Sequence, residues 1–148
     1  MKRQKSGINR FLIDTNVFIA SIRHPDRKTG SLDLILGLIN NPDVFLVGND
    51  LLLLEFEKYQ KRFESPLAYK ILKDLKHKIK FIEVRPENIK HCAKYMPHEE
   101  IVDIVHAATC LQTSAILISN DDHFNKLNKS EVIEVWTITQ AINTLVKK

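Results

Sequence analysis

Apolar and polar positions along the chain follow two alternating rhythms. Phe11–Ile13, Val44–Val47, Phe81–Val84, Ala115–Ser119 and Val132–Thr137 are short runs rich in β-branched and aromatic residues, and they predict five strands. Between them the apolar spacing becomes helical. Leu32, Ile35, Leu36 and Ile39 share one face of a helix over Ser31–Ile39, with Ser31 as its N-cap and Asn40-Asn41-Pro42 as its stop. Leu52, Phe56, Tyr59 and Phe63 form the stripe of a helix over Asp50–Phe63. Ser65-Pro66 restarts a helix running to about Ile79, with proline suited to its first turn. Pro86–Tyr95, Glu99–Leu111 and Ile138–Val146 read as three more. No repeat or low-complexity linker interrupts the pattern. Strands separated by helices predict an α/β domain with a mostly parallel five-stranded sheet.

At 148 residues one domain, spanning 1–148, is expected, with residues 1–7 as a flexible basic terminus. A hydrophobic share of 44% and a charged share of 27% are ordinary for a soluble fold and argue against disorder. The net charge of +4 favours a polyanionic partner, with Lys58, Lys61 and Arg62 and the run Lys73, Lys76, Lys78 and Lys80 as the densest basic clusters. Those clusters also fit plain solvated helix faces. Two cysteines, Cys92 and Cys110, suggest a reduced, cytoplasmic protein rather than a disulfide scaffold. The apolar run after the basic start is cut by Asp14, too early for a signal-peptide core. The longest charge-free stretch, residues 104–120, contains His, Gln, Thr and Ser and does not read as a membrane span.

Parallel sheets bind ligands beyond the carboxyl ends of their strands, so the residues just after each strand carry the chemical interest. Asp14 follows Phe11-Leu12-Ile13, and Asp121, with Asp122 beside it, follows Ile116–Asn120. A buried carboxylate is costly unless it is paired or metal-bound. Each acid also has a simpler reading: Asp14, Thr15 or Asn16 as a helix N-cap, and Asn120-Asp121-Asp122 as a polar turn. Glu55 flanks the apolar stripe of its helix, at the rim of the buried face, or pairs with Lys58 at i+3. On the helix containing Ile101–Cys110, the apolar face reads as Ile101, Ile104, Val105, Ala108 and Leu111. Glu99, Asp103, His106 and Cys110 fall on the opposite side. Those four do not make a zinc site, because i to i+11 spreads over about 16 Å of helix.

With these residues in place the chain resembles the PIN domain family of small metal-dependent ribonucleases. Three motifs carry the resemblance in order: Asp14-Thr15-Asn16, Asp103-Ile104-Val105-His106-Ala107-Ala108, and Ser119-Asn120-Asp121. Glu55 falls where the family has its second acid. The resemblance implies a three-layer α/β/α sandwich and an acidic site of Asp14, Glu55, Asp103 and Asp121 holding one or two Mg²⁺ or Mn²⁺ ions. Thr15, Asn16 and Ser119 become polar helpers. His106, on the same helix face as Asp103, orients a ligand or touches substrate, or is simply a packed or solvated histidine. The family often has a further Asp two residues after the last acid, before a Phe. Here that place is His123, preceding Phe124, and the extra acid is Asp122, so the fourth ligand is Asp121, Asp122 or both. The activity implied is hydrolysis of RNA phosphodiester bonds, with Arg23 and Lys58 among the bases available to phosphate. The small stand-alone architecture also resembles VapC-type toxins, which implies an antitoxin partner, and the family implies a homodimer. RNA processing or decay is the other role within this reading.

Other classes fit less well. A haloacid-dehalogenase-type phosphatase needs a second Asp where Asn16 stands. A phosphate-binding loop needs clustered glycines, whereas Gly7, Gly30, Gly37 and Gly48 are isolated. The main alternative is a non-catalytic RNA-binding or scaffold domain with a vestigial site.

Overall fold

A computed structural model describes residues 9–146; the basic segment 1–7 lies outside the described residues. In chain order the elements are β1 (Asn9–Ile13), α1 (Thr15–Ile22), α2 (Gly30–Asn40), β2 (Val44–Gly48), α3 (Asp50–Phe63), α4 (Pro66–Lys78) and β3 (Ile79–Phe81). There follow α5 (Pro86–Ala93), α6 (Ile101–Thr113), β4 (Ile116–Ile118), a 3₁₀ turn (Asp122–Phe124), α7 (Asn125–Lys129), β5 (Val135–Trp136) and α8 (Ile138–Leu145). The five strands form one sheet in the order β3-β2-β1-β4-β5. Every pairing is parallel, with Phe11 opposite both Leu46 and Ile116. Successive residues of a strand face opposite ways, yet Phe11, Leu12 and Ile13 are all buried. Helices therefore cover the central strand on both faces, giving the expected α/β/α layers.

Local chemistry explains where the helices begin. Asn49 caps α3 by accepting a hydrogen bond from Leu52 N at 2.9 Å, and Lys61 and Arg62 suit its last turn. Ser65 caps α4 through Ala68 N at 3.0 Å, with Pro66 in the first turn. The core joins both layers. Phe18 of α1 packs on Phe56 of α3 with ring centroids 4.9 Å apart, and Phe11 lies 5.5 Å from the Trp136 ring.

Several expectations need correction. The N-cap of α2 is Thr29, whose hydroxyl accepts from Leu32 N at 3.2 Å, not Ser31. The third strand is Ile79–Phe81 rather than Phe81–Val84, because the chain enters the sheet directly from the C-cap of α4 at Ile79. The N-cap alternative at Asp14 holds: helix α1, absent from the expected elements, starts there although Thr15, Val17, Ile19 and Ile22 are β-branched. The 3₁₀ turn and α7 were also unforeseen. Finally, the face reading of α6 fails. Ile101 is 63% exposed, while His106, Thr109 and Cys110 are fully buried. Helix α6 touches β1, β2, β4, α3 and α5, so most of its circumference is covered.

Candidate metal centre

From β1 the chain moves outward through β2 and β3, then crosses back to place β4 on the other side of β1. The connections that leave β1 and β4 thus diverge, and a crevice opens between their carboxyl ends. Both strand-end acids lie there. Asp14 N donates to Ile118 O at 3.0 Å, carrying the β1–β4 ladder up to the acid itself. Its Oδ1 accepts from Thr15 N at 2.8 Å, so Asp14 also caps α1. The N-cap reading and the buried-acid reading therefore both describe Asp14.

Ser119 couples the two ends. Its hydroxyl donates to Asp14 Oδ2 at 2.7 Å and accepts from Asp121 N at 3.0 Å. Asn16 Nδ2 leans on the same pair, 3.4 Å from Asp14 Oδ2 and 3.3 Å from Ser119 Oγ. Asp121 Oδ1 accepts from His123 N at 2.9 Å and starts the 3₁₀ turn. Asp103 enters from the first turn of α6. The result is a group in which Asp14, Asp103 and Asp121 each offer an oxygen and these atoms lie within 4.8 Å of one another. Asp122 is exposed and not part of that group.

Glu55 stands beside the triad rather than in it. Its side chain is 34% exposed, at the rim of the α3 stripe. Both hydrogen bonds to it fall on Oε1, from Thr15 Oγ1 at 2.7 Å and His106 Nε2 at 3.3 Å. His106 is itself held from behind. Asn49 Oδ1 is taken by Leu52 N, so its Nδ2 must be the donor to His106 Nδ1 at 3.1 Å and to Thr109 Oγ1 at 2.9 Å. Thr109 Oγ1 in turn donates to Val105 O at 2.8 Å. Donor directions fix the imidazole proton on Nε2, aimed at Glu55. Being fully buried, His106 acts on Glu55 and presents no surface to a substrate.

Electrostatics mark the triad. Burial pushes the Asp14 carboxyl above its ordinary value, against the Ser119 hydrogen bond. Burial, then the charges of Asp14 and Asp121, push Asp103 up from 3.8 to about 6, although the His123 hydrogen bond opposes this. Glu55 goes the other way: burial raises it, but the His106 and Thr15 hydrogen bonds prevail and it sits below its ordinary value. His123 Nδ1 lies 3.0 Å from Asp121, 3.3 Å from Asp103 and 3.6 Å from Glu100. The hydrogen bond to Asp103 and the nearby negative charges raise its pKa. Glu100, Asp103 and His123 also converge, with ligand atoms within 4.8 Å of one another.

Among the proposed phosphate-binding bases, Lys58 is close enough to act on Glu55 electrostatically. Arg23 is at the C-cap of α1, about 12 Å of helix away from Asp14. Asn49, Thr109 and Glu100 were missed from sequence. Asn49 was within reach of the same rule that singled out Asp14, since it stands just past the carboxyl end of β2; only its lack of charge hid it.

The model of one family, described as PIN domain, matches residues 11–130 of the sequence. The chain belongs to the PIN domain family. Solved structures share this PIN fold. VapBC-1 from nontypeable Haemophilus influenzae aligns with a TM-score of 0.60 at 17% identity, covering 88% of this chain and 98% of that one. PAE2754 from Pyrobaculum aerophilum gives 0.58 at 14% identity, with 98% and 100% covered. VapBC2 from Rickettsia felis, bound to a DNA fragment from their promoter, gives 0.55 at 14% identity, with 86% and 98% covered. Comparison with curated proteins finds no match. Among the described residues no helix is long and apolar enough to cross a membrane.

Proposed function

We propose that this PIN domain is a Mg²⁺- or Mn²⁺-dependent endoribonuclease. The observation that carries the reading is the convergence of Asp14, Asp103 and Asp121, remote along the chain, at the carboxyl ends of adjacent central strands. Two carboxylates 4 Å apart repel by about 4 kcal/mol at an effective dielectric of 20, so such a cluster calls for a cation. The donor set fits a hard divalent ion, since the triad is all oxygen. A second observation agrees. Asn16 Oδ1, beside Asp14, is buried without a hydrogen-bond partner and could accept from water retained by a hydrated ion.

Asp14, Asp103 and Asp121 would hold the ion, with Glu55 alongside and Asp122 set apart. When bound, the ion would lower the pKa of its water and stabilise negative charge on the reacting phosphate. The chain's own residues provide fixed geometry. Ser119 and Thr15 N hold Asp14, His123 N holds Asp121, and Thr15 and His106 hold Glu55, so the acids need little reorganisation when the ion arrives. Water adds to phosphorus and the P–O3′ bond breaks, leaving 5′-phosphate and 3′-hydroxyl ends. No side-chain nucleophile is required.

The VapBC structures that share the fold support a toxin role with an antitoxin protein as partner; RNA as the substrate is part of the proposal. The test is direct. Purified protein should cleave single-stranded RNA with Mn²⁺ or Mg²⁺ and stop in EDTA. Undiminished cleavage by Asp14→Asn overturns the assignment. Co-expression with the product of a small gene immediately upstream should suppress cleavage if the role is that of a toxin.

A further inference from the structure

An acidic centre repels a polyanion, so RNA must be held by flanking groups. Beside the triad lies a cavity of about 480 Å³, within the roughly 300–1,000 Å³ range of small-molecule sites. Its wall is the segment between α5 and α6. Tyr95 presents a half-buried ring, Met96 is buried, and Pro97 completes an apolar surface. Exposed Lys94 and Lys126 also line it. The cavity adjoins the acidic centre, because His123 lines it and also touches Asp103 and Asp121.

We infer that this cavity is a nucleotide subsite, which takes one base of single-stranded RNA next to the scissile phosphate. The base rests on Tyr95 and Pro97, and the neighbouring phosphates meet Lys94 and Lys126. Aromatic faces paired with lysines are the usual chemistry for unstacked nucleotides. Asp122 also lines the cavity and repels a phosphate placed near it, which favours the two lysines as the phosphate contacts. Lys58 acts electrostatically on Glu55 and is a further basic group near the acidic centre. The inference rests on the ribonuclease reading and adds where the substrate lies.

The Met96 methyl group is a convenient reporter, since the only other methionine is Met1. In EDTA, adenosine and uridine 5′-monophosphates should shift its NMR signal saturably, whereas ribose 5-phosphate should not. Tyr95→Phe should keep the response and Tyr95→Ala should lose it. In the cleavage assay Tyr95→Ala should raise KM about 5- to 150-fold, the range expected for one lost base stack, and change which bonds are cut. If wild-type protein cleaves RNA but Met96 does not respond to nucleotides, the cavity belongs to another occupant, such as an antitoxin side chain or a second copy, and the inference is overturned. An equal response to ribose 5-phosphate overturns it too, leaving a phosphate site alone. If nucleotides bind but no RNA is cut in Mn²⁺, the ribonuclease reading fails, and this inference fails with it.

Discussion

Replacing Asp103 with Asn separates the cost of the acidic cluster from its use. Asp103 is 16% exposed and its carboxyl is raised from 3.8 to about 6 in the fold. At about 1.4 kcal/mol per pH unit, ionising it costs the metal-free fold about 3 kcal/mol. A group whose folded pKa is raised contributes stability below its unfolded pKa and loses it as pH climbs through the folded one. Metal-free wild type should therefore lose stability between pH 3.8 and about 6. Asp103→Asn escapes that loss, less roughly 1 kcal/mol for an amide that pairs poorly with His123. The variant should be about 2 kcal/mol more stable than wild type at pH 7.5 in EDTA, and no more stable near pH 3.5. Urea unfolding followed by circular dichroism across this range measures the difference. Adding Mn²⁺ should reverse the order, since wild type alone gains the full ion-binding energy. A destabilised variant at pH 7.5, or a difference that ignores pH, would refute the account of Asp103 as a repelled ligand.

Other substitutions test the supports. Asn49→Ala removes the α3 cap and leaves His106 Nδ1 unsatisfied, so it should cost about 2–4 kcal/mol in urea unfolding. The same variant should weaken Mn²⁺ binding measured by calorimetry, because Glu55 loses its fixed orientation. Phe56→Ala opens a cavity beneath Phe18 and should cost about 3–5 kcal/mol. Ser119→Ala removes the bond linking Asp14 to Asp121 and should raise the Asp14 pKa further, detectable by carboxyl NMR titration.

How far the sequence could be read depended on whether a residue's role was local. Strand-end acids such as Asp14 and Asp121 stood out because an apolar run stops at a charge, and the sheet's alternation with helices was plain. The motif order then identified Glu55 and Asp103, which no local pattern would have joined. What stayed hidden depended on long-range partners. His106 looked like part of a polar face because its neighbours Asn49 and Glu55 are 57 and 51 residues away. Ile101 looked buried by periodicity, yet α6 turns its other sides to the sheet and to α3 and α5. In α1, four β-branched residues weaken the helical signal, and packing against α2 and α3 supports the helix instead.

Asp14 and Ser119 are joined across 105 residues, through strands that neighbour each other only once most of the chain exists. A nascent chain that has reached residue 110 has made the first acid but lacks the last, and its β1–β4 ladder is missing. For the ribonuclease proposed above, synthesis therefore stays ahead of activity: a nascent chain cannot cut the message that encodes it until β4 and Asp121 have emerged.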